Sequence, residues 1–376
     1  MGTCNYRQCC YSKNSQEIKN ISAFGLNYTS AHKFEIMNSK SFPTLSIVIV
    51  TKNVERTFPR LLKNILEQNY PKDKLHVIVI DGRSTDKTLD IIKNSMLNIE
   101  VFQGKKPNDP EACKGEGLTY AKGEIVGLID SDNYLPHKNW LKKMITPLIE
   151  DHSIVGSYTW RFSYSRKDNY LNRYFSLIGS ADPVGLYLGK ADKLSYISAR
   201  WIGFGKVVNN FTDYFIVEFD KDHFPTLGSN GFFARKKYIM KGKSSPSKFF
   251  HIDVPYDILK FNLNKYAIIK DVIIHDTAID LRTFLRKRIK YMRLHYQKRA
   301  KDRRYKVFDP ESKRDILRLA GFIFFSITFI QPLYVSVRGY MRIRDLAWFL
   351  HPVFCFSIAL VYSLAVIQKQ ITRLFN

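Results

Sequence analysis

The sequence holds only five cysteines, and three of them, Cys4, Cys9 and Cys10, crowd the N-terminus without metal-ligand spacing. That excludes a disulfide framework and a cysteine-based zinc site, and it points to a reducing compartment. The opening residues lack the apolar core of a signal peptide, and Gly2 is not followed by Ser or Thr at position six, so neither secretion nor myristoylation is indicated. Residues 1–43 read as a disordered leader; patterned sequence starts only at Leu45, which makes Met37 a second candidate start. Internal repeats and low-complexity tracts are absent, and 45% apolar residues support a folded core. Acidic residues are scarce, 34 against 59 basic ones for a net charge of +25, so the partner is expected to be anionic: nucleic acid, phospholipid or a phosphate-bearing substrate.

The position of the charge decides between these. Basic residues concentrate from Arg282 to Arg318, directly before the most apolar part of the chain, Leu319–Val337 and Leu346–Ile367. A basic run beside apolar segments is the pattern of a cytoplasmic juxtamembrane region, and it lacks the aromatic interleaving of a nucleic-acid platform. The partners expected are therefore membrane lipids and not nucleic acid. Each apolar segment is long enough to cross a hydrocarbon core as a helix. Pro332, Pro352 and the arginines between the segments, Arg338, Arg342 and Arg344, also allow helices lying in the interface.

Between Leu45 and Asp130 buried-strand runs (LSIVIVT, LHVIVID, IEVF, EIVGLID) alternate with helical patterns at 57–68, 84–95 and 109–121. This rhythm predicts an α/β fold with a mostly parallel central sheet. Ligands of such sheets bind outside the carboxyl ends of the strands, where Thr51 to Glu55, Asp81 to Asp86 and Asp130 to Asp132 all fall. In Asp130-Ser131-Asp132, two carboxylates on alternate residues cannot both be buried unpaired. A hard divalent cation, Mn²⁺ or Mg²⁺, resolves the conflict and leaves positions open for phosphate oxygens. A solvated turn is the plainer alternative for the tripeptide alone.

TKNVERT after the first strand, VIVIDGRSTDKT, AKGEIVGLIDSDN and LGSNGFFARKKYI, in this order and spacing, resemble the motifs of glycosyltransferase family 2. The resemblance, from about Leu45 to Tyr296, implies a GT-A nucleotide-sugar-binding domain over 44–285, a basic amphipathic juxtamembrane region at 286–318 and a membrane-spanning or interfacial helical segment at 319–376. It implies that Thr51, Asn53, Glu55 and Asp81 border the nucleotide, that Lys114 faces the diphosphate, and that Asp130 meets the ribose or the metal. Asp132 would ligate the metal, with His275 a further ligand. Asp86 is equally explained as a carboxylate in a helix first turn. Asn230, Gly231 and Asp257 would lie on the acceptor side.

An inverting transfer also needs a base for the acceptor hydroxyl. The family's Glu-Asp pair is replaced here by FFHIDVPYD, which lacks the Glu and favours Asp253 as the base, with Asp257 one turn on as the alternative. Asp253 as a helix cap is compatible with that role. The Gln-x-x-Arg-Trp motif of processive synthases is missing. The expectation is an inverting, metal-dependent, non-processive enzyme at the cytoplasmic membrane face, moving a sugar from a nucleotide-sugar donor, UDP-linked by family prior, to a glycan or lipid-linked acceptor. A polyprenyl-phosphate glycosyltransferase and an inactive carbohydrate-binding relative are the alternatives.

Overall fold

The computed structural model describes residues 42–191, 193–198, 205–242, 245–277, 280–293 and 300–374. The expected leader, apart from its last two residues, and Met37 lie outside them.

The first half follows the alternating pattern. Strand β1 (Leu45–Thr51) leads to α1 (Phe58–Leu66), β2 (Leu75–Asp81), α2 (Thr88–Lys93), β3 (Ile99–Gln103), α3 (Pro110–Tyr120) and β4 (Ile125–Leu128). Strand β1 is buried on both faces, which is why its sequence is a continuous β-branched run. Helix α3 is capped by Asp109, whose side chain accepts the Ala112 N–H at 3.0 Å, with Pro110 in the first turn. Next come β5 (Asn133–Tyr134), α4 (Trp140–Glu150), β6 (Gly156–Phe162), α5 (Tyr170–Ile178), α6 (Pro183–Tyr187), β7 (Lys206–Asn210), β8 (Tyr214–Glu218), β9 (Phe232–Arg235) and α7 (Lys236–Ile239). Helix α8 (Asp253–Asp257), strand β10 (Lys265–His275) and helix α9 (Leu281–Tyr291) complete the domain.

The sheet runs β3-β2-β1-β4-β9-β6-β10-β8-β7, with β5 paired to β10 off this path. Here the structure corrects the sequence reading: the sheet is mixed. The pairs β1/β2, β1/β4, β2/β3 and β6/β10 are parallel, whereas β4/β9, β6/β9, β8/β10, β7/β8 and β5/β10 are antiparallel. Strand β9 enters between β4 and β6 and reverses direction on both sides, and β7/β8 form a hairpin at the edge. Hairpin connections need no crossover helix, so the strand-helix rhythm that reveals parallel pairing is missing there.

Two cores flank the sheet. One gathers α1 and α4 (Phe58, Leu61, Trp140, Met144) under the β strands, and the other gathers Leu118, Phe232, Phe249 and Val254 on the opposite face. A third core is separate and joins the aromatic stretch after β6 to the C-terminal helices through Tyr174, Phe175, Phe284, Phe322, Trp348 and Phe354.

Those helices correct a second expectation. The first apolar segment is not one helix: α10 (Lys313–Thr328) and α11 (Ile330–Arg342) meet at a 79° bend around Phe329, whose φ is +60°. Pro332 supplies the reason, because it has no N–H to continue the α10 ladder and its ring would meet the carbonyl of Thr328. Helix α12 (Leu350–Leu374) is long, and Leu346–Gln368 is the one helical stretch among the described residues that is apolar and long enough to cross a membrane by itself. Pro352 falls in its first turn, where proline is tolerated.

The basic region does not stand apart from the preceding domain. Tyr305 is buried in the second core, and its hydroxyl donates to the Phe224 carbonyl at 2.5 Å. Of the basic run from Arg282 to Arg318, α9 covers the part to Tyr291; residues 294–299 lie outside the described residues.

Candidate functional site

The polar residues at the carboxyl edge of the parallel strands form two laced loops and a turn. Thr51 Oγ1 donates to Asp81 Oδ1 at 2.9 Å, Ser84 Oγ donates to the same oxygen at 2.6 Å, and the Ser84 N–H donates to Oδ2 at 2.8 Å. Asp81 is fully buried with both oxygens engaged, so it pins the ends of β1 and β2 together. Beyond it, the Asn53 N–H donates to Ser84 Oγ, and Asn53 Oδ1 accepts the Thr85 N–H at 2.8 Å. The Glu55 N–H donates to Asp86 Oδ2 at 3.0 Å, and Glu55 Oε2 accepts the Lys87 N–H at 3.1 Å. Asp86 therefore has a structural place, also accepting the Thr88 N–H at the start of α2. Burial pushes its carboxyl up, but these hydrogen bonds prevail and hold it below the ordinary range. Asn53 and Glu55 are exposed.

The Asp-Ser-Asp turn sits two residues past β4, and its two carboxylates face different partners. Asp130 pairs with Lys114 at 2.8 Å, and Lys114 also lies 3.5 Å from Glu111. Desolvation alone would raise the Asp130 carboxyl, but the Lys114 ammonium outweighs it and holds the group low. Desolvation likewise opposes the charge on Lys114, and the Asp130 and Glu111 carboxylates more than offset it, so its pKa is raised. Lys114 is buried between two carboxylates and does not project into open space.

Asp132 faces His275 instead, with Oδ1 at 3.6 Å from Nε2. The register explains the meeting: His275 at the end of β10 pairs antiparallel with Asn133, and the Asp276 N–H donates to the Asp132 carbonyl at 2.9 Å. Among the described residues, no group of three or more His, Cys, Asp and Glu side chains converges as a metal site. The pair Asp132 and His275 nevertheless fits a hard divalent cation: one carboxylate and one imidazole lie close together and partly exposed, and the remaining positions would fall to phosphate oxygens. Asp130, engaged by Lys114, does not join them in this arrangement.

The loop that carries Gly228, Asn230 and Gly231 lies against the same turn. Asn133 Nδ2 donates to Asn230 Oδ1 at 3.3 Å. Gly231 at φ +78° packs on Trp140 and Ile273, and Gly228 at φ +124° lies so close to His251 that a Cβ there would stand 2.3 Å from its carbonyl oxygen. Asn230 itself adopts φ +52°, a conformation asparagine tolerates.

Asp253 departs from the picture of an open base. It is 0% exposed, and its carboxylate accepts from Arg303 Nε at 3.2 and 3.3 Å, from Arg303 Nη2 at 3.2 Å, and from the N–H groups of Arg304 at 3.2 Å and Tyr305 at 3.1 Å. Asp257 is bound by Arg304 Nε at 2.5 Å. The basic segment after α9 thus covers both carboxylates that the sequence offers as bases.

Sequence reasoning missed two further groups. Asp276 ties three elements together, accepting from Arg56 at 2.6 Å and from Asn172 on α5 at 2.8 Å. Glu111, in the first turn of α3, holds His251: it accepts the His251 N–H at 2.9 Å and lies 2.8 and 2.9 Å from Nδ1. Desolvation would raise Glu111, but its contacts with His251 and the Lys114 ammonium keep it well below the ordinary carboxyl range. Neither partnership has a local signal, since Glu111 and His251 are 140 residues apart.

Known proteins resemble part of this chain. Residues 46–223 match the family model described as glycosyl transferase family 2. The match ends before Asn230, His251, Asp253 and His275. The chain is 34% identical over 113 residues to the poly(ribitol-phosphate) beta-N-acetylglucosaminyltransferase TarS of Staphylococcus aureus, a stretch that covers 29% of this chain and 20% of TarS. It is 34% identical over 106 residues to a dolichyl N-acetyl-alpha-D-glucosaminyl phosphate 3-beta-D-2,3-diacetamido-2,3-dideoxy-beta-D-glucuronosyltransferase of Methanococcus voltae, covering 27% of this chain and 32% of that protein. The similarity thus spans between a fifth and a third of these curated relatives. Among solved structures, the mannosyltransferase PcManGT of Pyrobaculum calidifontis, in complex with GDP-Man and Mn²⁺, aligns over 92% of both chains at 14% identity and a TM-score of 0.48. Just under half of the chain, residues 46–223, thus resembles glycosyl transferase family 2, and the whole folds as an α/β domain with a mixed central sheet.

Proposed function

We propose that the chain is an inverting glycosyltransferase of GT-A type that takes a sugar from a nucleotide diphosphate donor, UDP by family prior, and passes it to a hydroxyl of a glycan or lipid-linked acceptor at the cytoplasmic face of a membrane. One observation carries the reading. At a single sheet edge, the laced loops of Asn53 and Glu55, the Asp130-Asp132 turn with His275, and the Asn230-Gly231 loop come together, as donor, diphosphate and acceptor require.

In this reading Asn53 and Glu55 border the nucleoside, while Thr51 and Asp81 fix the loops that carry them. Asp132 and His275 would hold a divalent cation, Mn²⁺ or Mg²⁺, which when bound supplies positive charge to the departing diphosphate. Lys114, buried and paired with Asp130 and Glu111, fixes the Asp130 side of the turn before reaction. Asn230 and Gly231 shape the acceptor side. The names of the two relatives, one acting on poly(ribitol phosphate) and one on a dolichyl-phosphate-linked sugar, favour a phosphate-bearing polymer or lipid acceptor.

The C-terminal helices support a membrane location. Phe324, Ile327, Ile330, Leu333, Tyr334 and Met341 on α10 and α11 are exposed, with Phe356, Leu360 and Leu364 on α12. An apolar face of this extent marks an interaction surface, and the arginines around it suit anionic headgroups.

The test is nucleotide release from a panel of nucleotide sugars by the purified full chain with Mn²⁺, against the same reactions in EDTA. Release from one donor, lost in EDTA, is the expected result. A protein that releases nucleotide from none and binds no UDP would sink the reading.

A further inference from the structure

Both aspartates that the sequence offers as bases are covered by arginines, so a different group must take the proton from the attacking hydroxyl. We propose that His251, oriented by Glu111, is that base; the inference rests on the glycosyltransferase reading and names the proton acceptor within the same site.

Four observations converge on this residue. Glu111 is a carboxylate that only accepts, and both its oxygens lie within 2.9 Å of Nδ1, so Nδ1 carries the proton and the neutral ring leaves its lone pair on Nε2. Nε2 makes no hydrogen bond to any described residue, while the ring is held by stacking on Phe250 at 4.9 Å. A carboxylate fixing one imidazole nitrogen while the other stays available is the arrangement a general base needs.

The placement is that of the acceptor. The His251 backbone lies against Gly228 at the head of the loop that carries Asn230 and Gly231. Glu111 opens α3, so the pair stands at the carboxyl edge of the sheet, linked through Lys114 to Asp130.

The charges are also arranged to accept a proton. The groups facing His251 are Glu111 and Lys114 from α3 and Asp130 from the turn after β4, with His275 beyond Asp130 and Arg303 on Phe250. Glu111, Lys114, Asp130 and a neutral His251 sum to one negative charge, and a proton on Nε2 brings the sum to zero. Asp253 and Asp257 have the opposite disposition, because protonating either one strands a guanidinium already paired with it.

The step balances as follows. The acceptor oxygen forms its bond to the anomeric carbon as the bond from that carbon to the phosphate oxygen breaks, and the nucleotide diphosphate leaves with the electron pair. The acceptor's proton passes to Nε2 and is released to water after the product departs.

The experiment compares full-length wild type with His251→Gly and Glu111→Gln, using the donor that the wild type turns over best in the panel above, with water as acceptor. His251→Gly should lose about 10²–10⁴ in kcat, bind UDP with an unchanged Kd, and regain rate on adding imidazole, with substituted imidazoles ranking by their basicity. Glu111→Gln should lose kcat with little change in KM. A His251→Gly enzyme that turns over like wild type overturns the proposal, as does one with intact UDP affinity whose lost rate no imidazole restores. A wild type that binds no UDP and releases no nucleotide overturns the glycosyltransferase reading itself, a result distinct from either.

Discussion

Replacing Arg303 by Met tests the enclosed carboxylate directly. Asp253 is fully buried and the Arg303 side chain is only 7% exposed, so the variant leaves a buried anion without its counter-ion. Removing one partner of such a pair costs about 3–5 kcal/mol. The guanidinium also lies 3.5 Å from the centre of the Phe250 ring, a contact of roughly 1 kcal/mol that the methionine recovers in part by packing. The Arg304 and Tyr305 N–H groups still reach Asp253, which places the net loss near the lower end, about 3 kcal/mol. At about 2–3 °C per kcal/mol for a domain of this size, Tm should fall by about 5–10 °C in differential scanning fluorimetry. The double variant Asp253→Asn with Arg303→Met should fall by less than the two single variants added together, because each single change leaves the other group unpaired. A Tm for Arg303→Met indistinguishable from wild type would refute the burial of Asp253 against this arginine, and Asp253 would return as the candidate base.

Further outcomes follow from other contacts. Asp132→Ala should abolish turnover with Tm unchanged, read by nucleotide release and thermal melting; near wild-type activity with the same metal requirement would remove Asp132 from the site. Gly228→Ala combines φ +124° with a 2.3 Å approach to the His251 carbonyl, so it should cost about 2 kcal/mol or more in urea unfolding. Glu111 and Asp130 are held below their ordinary range, so the unfolded chain binds more protons in acid. Their stabilisation is complete above the unfolded carboxyl pKa of about 4 and is lost as pH falls through the lower folded values. Urea midpoints across that acid range should therefore drop more steeply for wild type than for Glu111→Gln. With anionic vesicles, the full chain should stay bound through a high-salt wash, as an apolar face requires; release by salt alone would point to a purely electrostatic attachment.

Much of the first half of the fold was legible because strands buried on both faces cannot hide: LSIVIVT and LHVIVID have no polar face to blur the pattern. The helix starting near Asp109 and the polar ends of the strands were equally local. The antiparallel half was not legible. Strand β7 is short, exposed and carries Asn209 and Asn210, and the direction of β9 depends on neighbours far along the chain. In the site, the convergence of His275 with the Asp-Ser-Asp turn was anticipated through family resemblance. The different partners of Asp130 and Asp132 were not, because they depend on where α3 delivers Lys114. The aromatic stretch after Tyr158 resisted reading because α5 and α6 face a third core completed by residues more than a hundred positions later.

Helix α5 connects two distant parts of the molecule. Asn172 on this helix grips Asp276 beside His275, while Tyr174 stacks on Phe354 of the C-terminal helices and Phe175 meets the same ring edge-on. Nine residues therefore bridge the chemical centre and the greasy end of the molecule without any slack tether between them. On the membrane-bound reading proposed above, this helix would set the height and tilt of the Asp132–His275 turn over a bilayer, and cutting away the C-terminal helices would unseat Asn172.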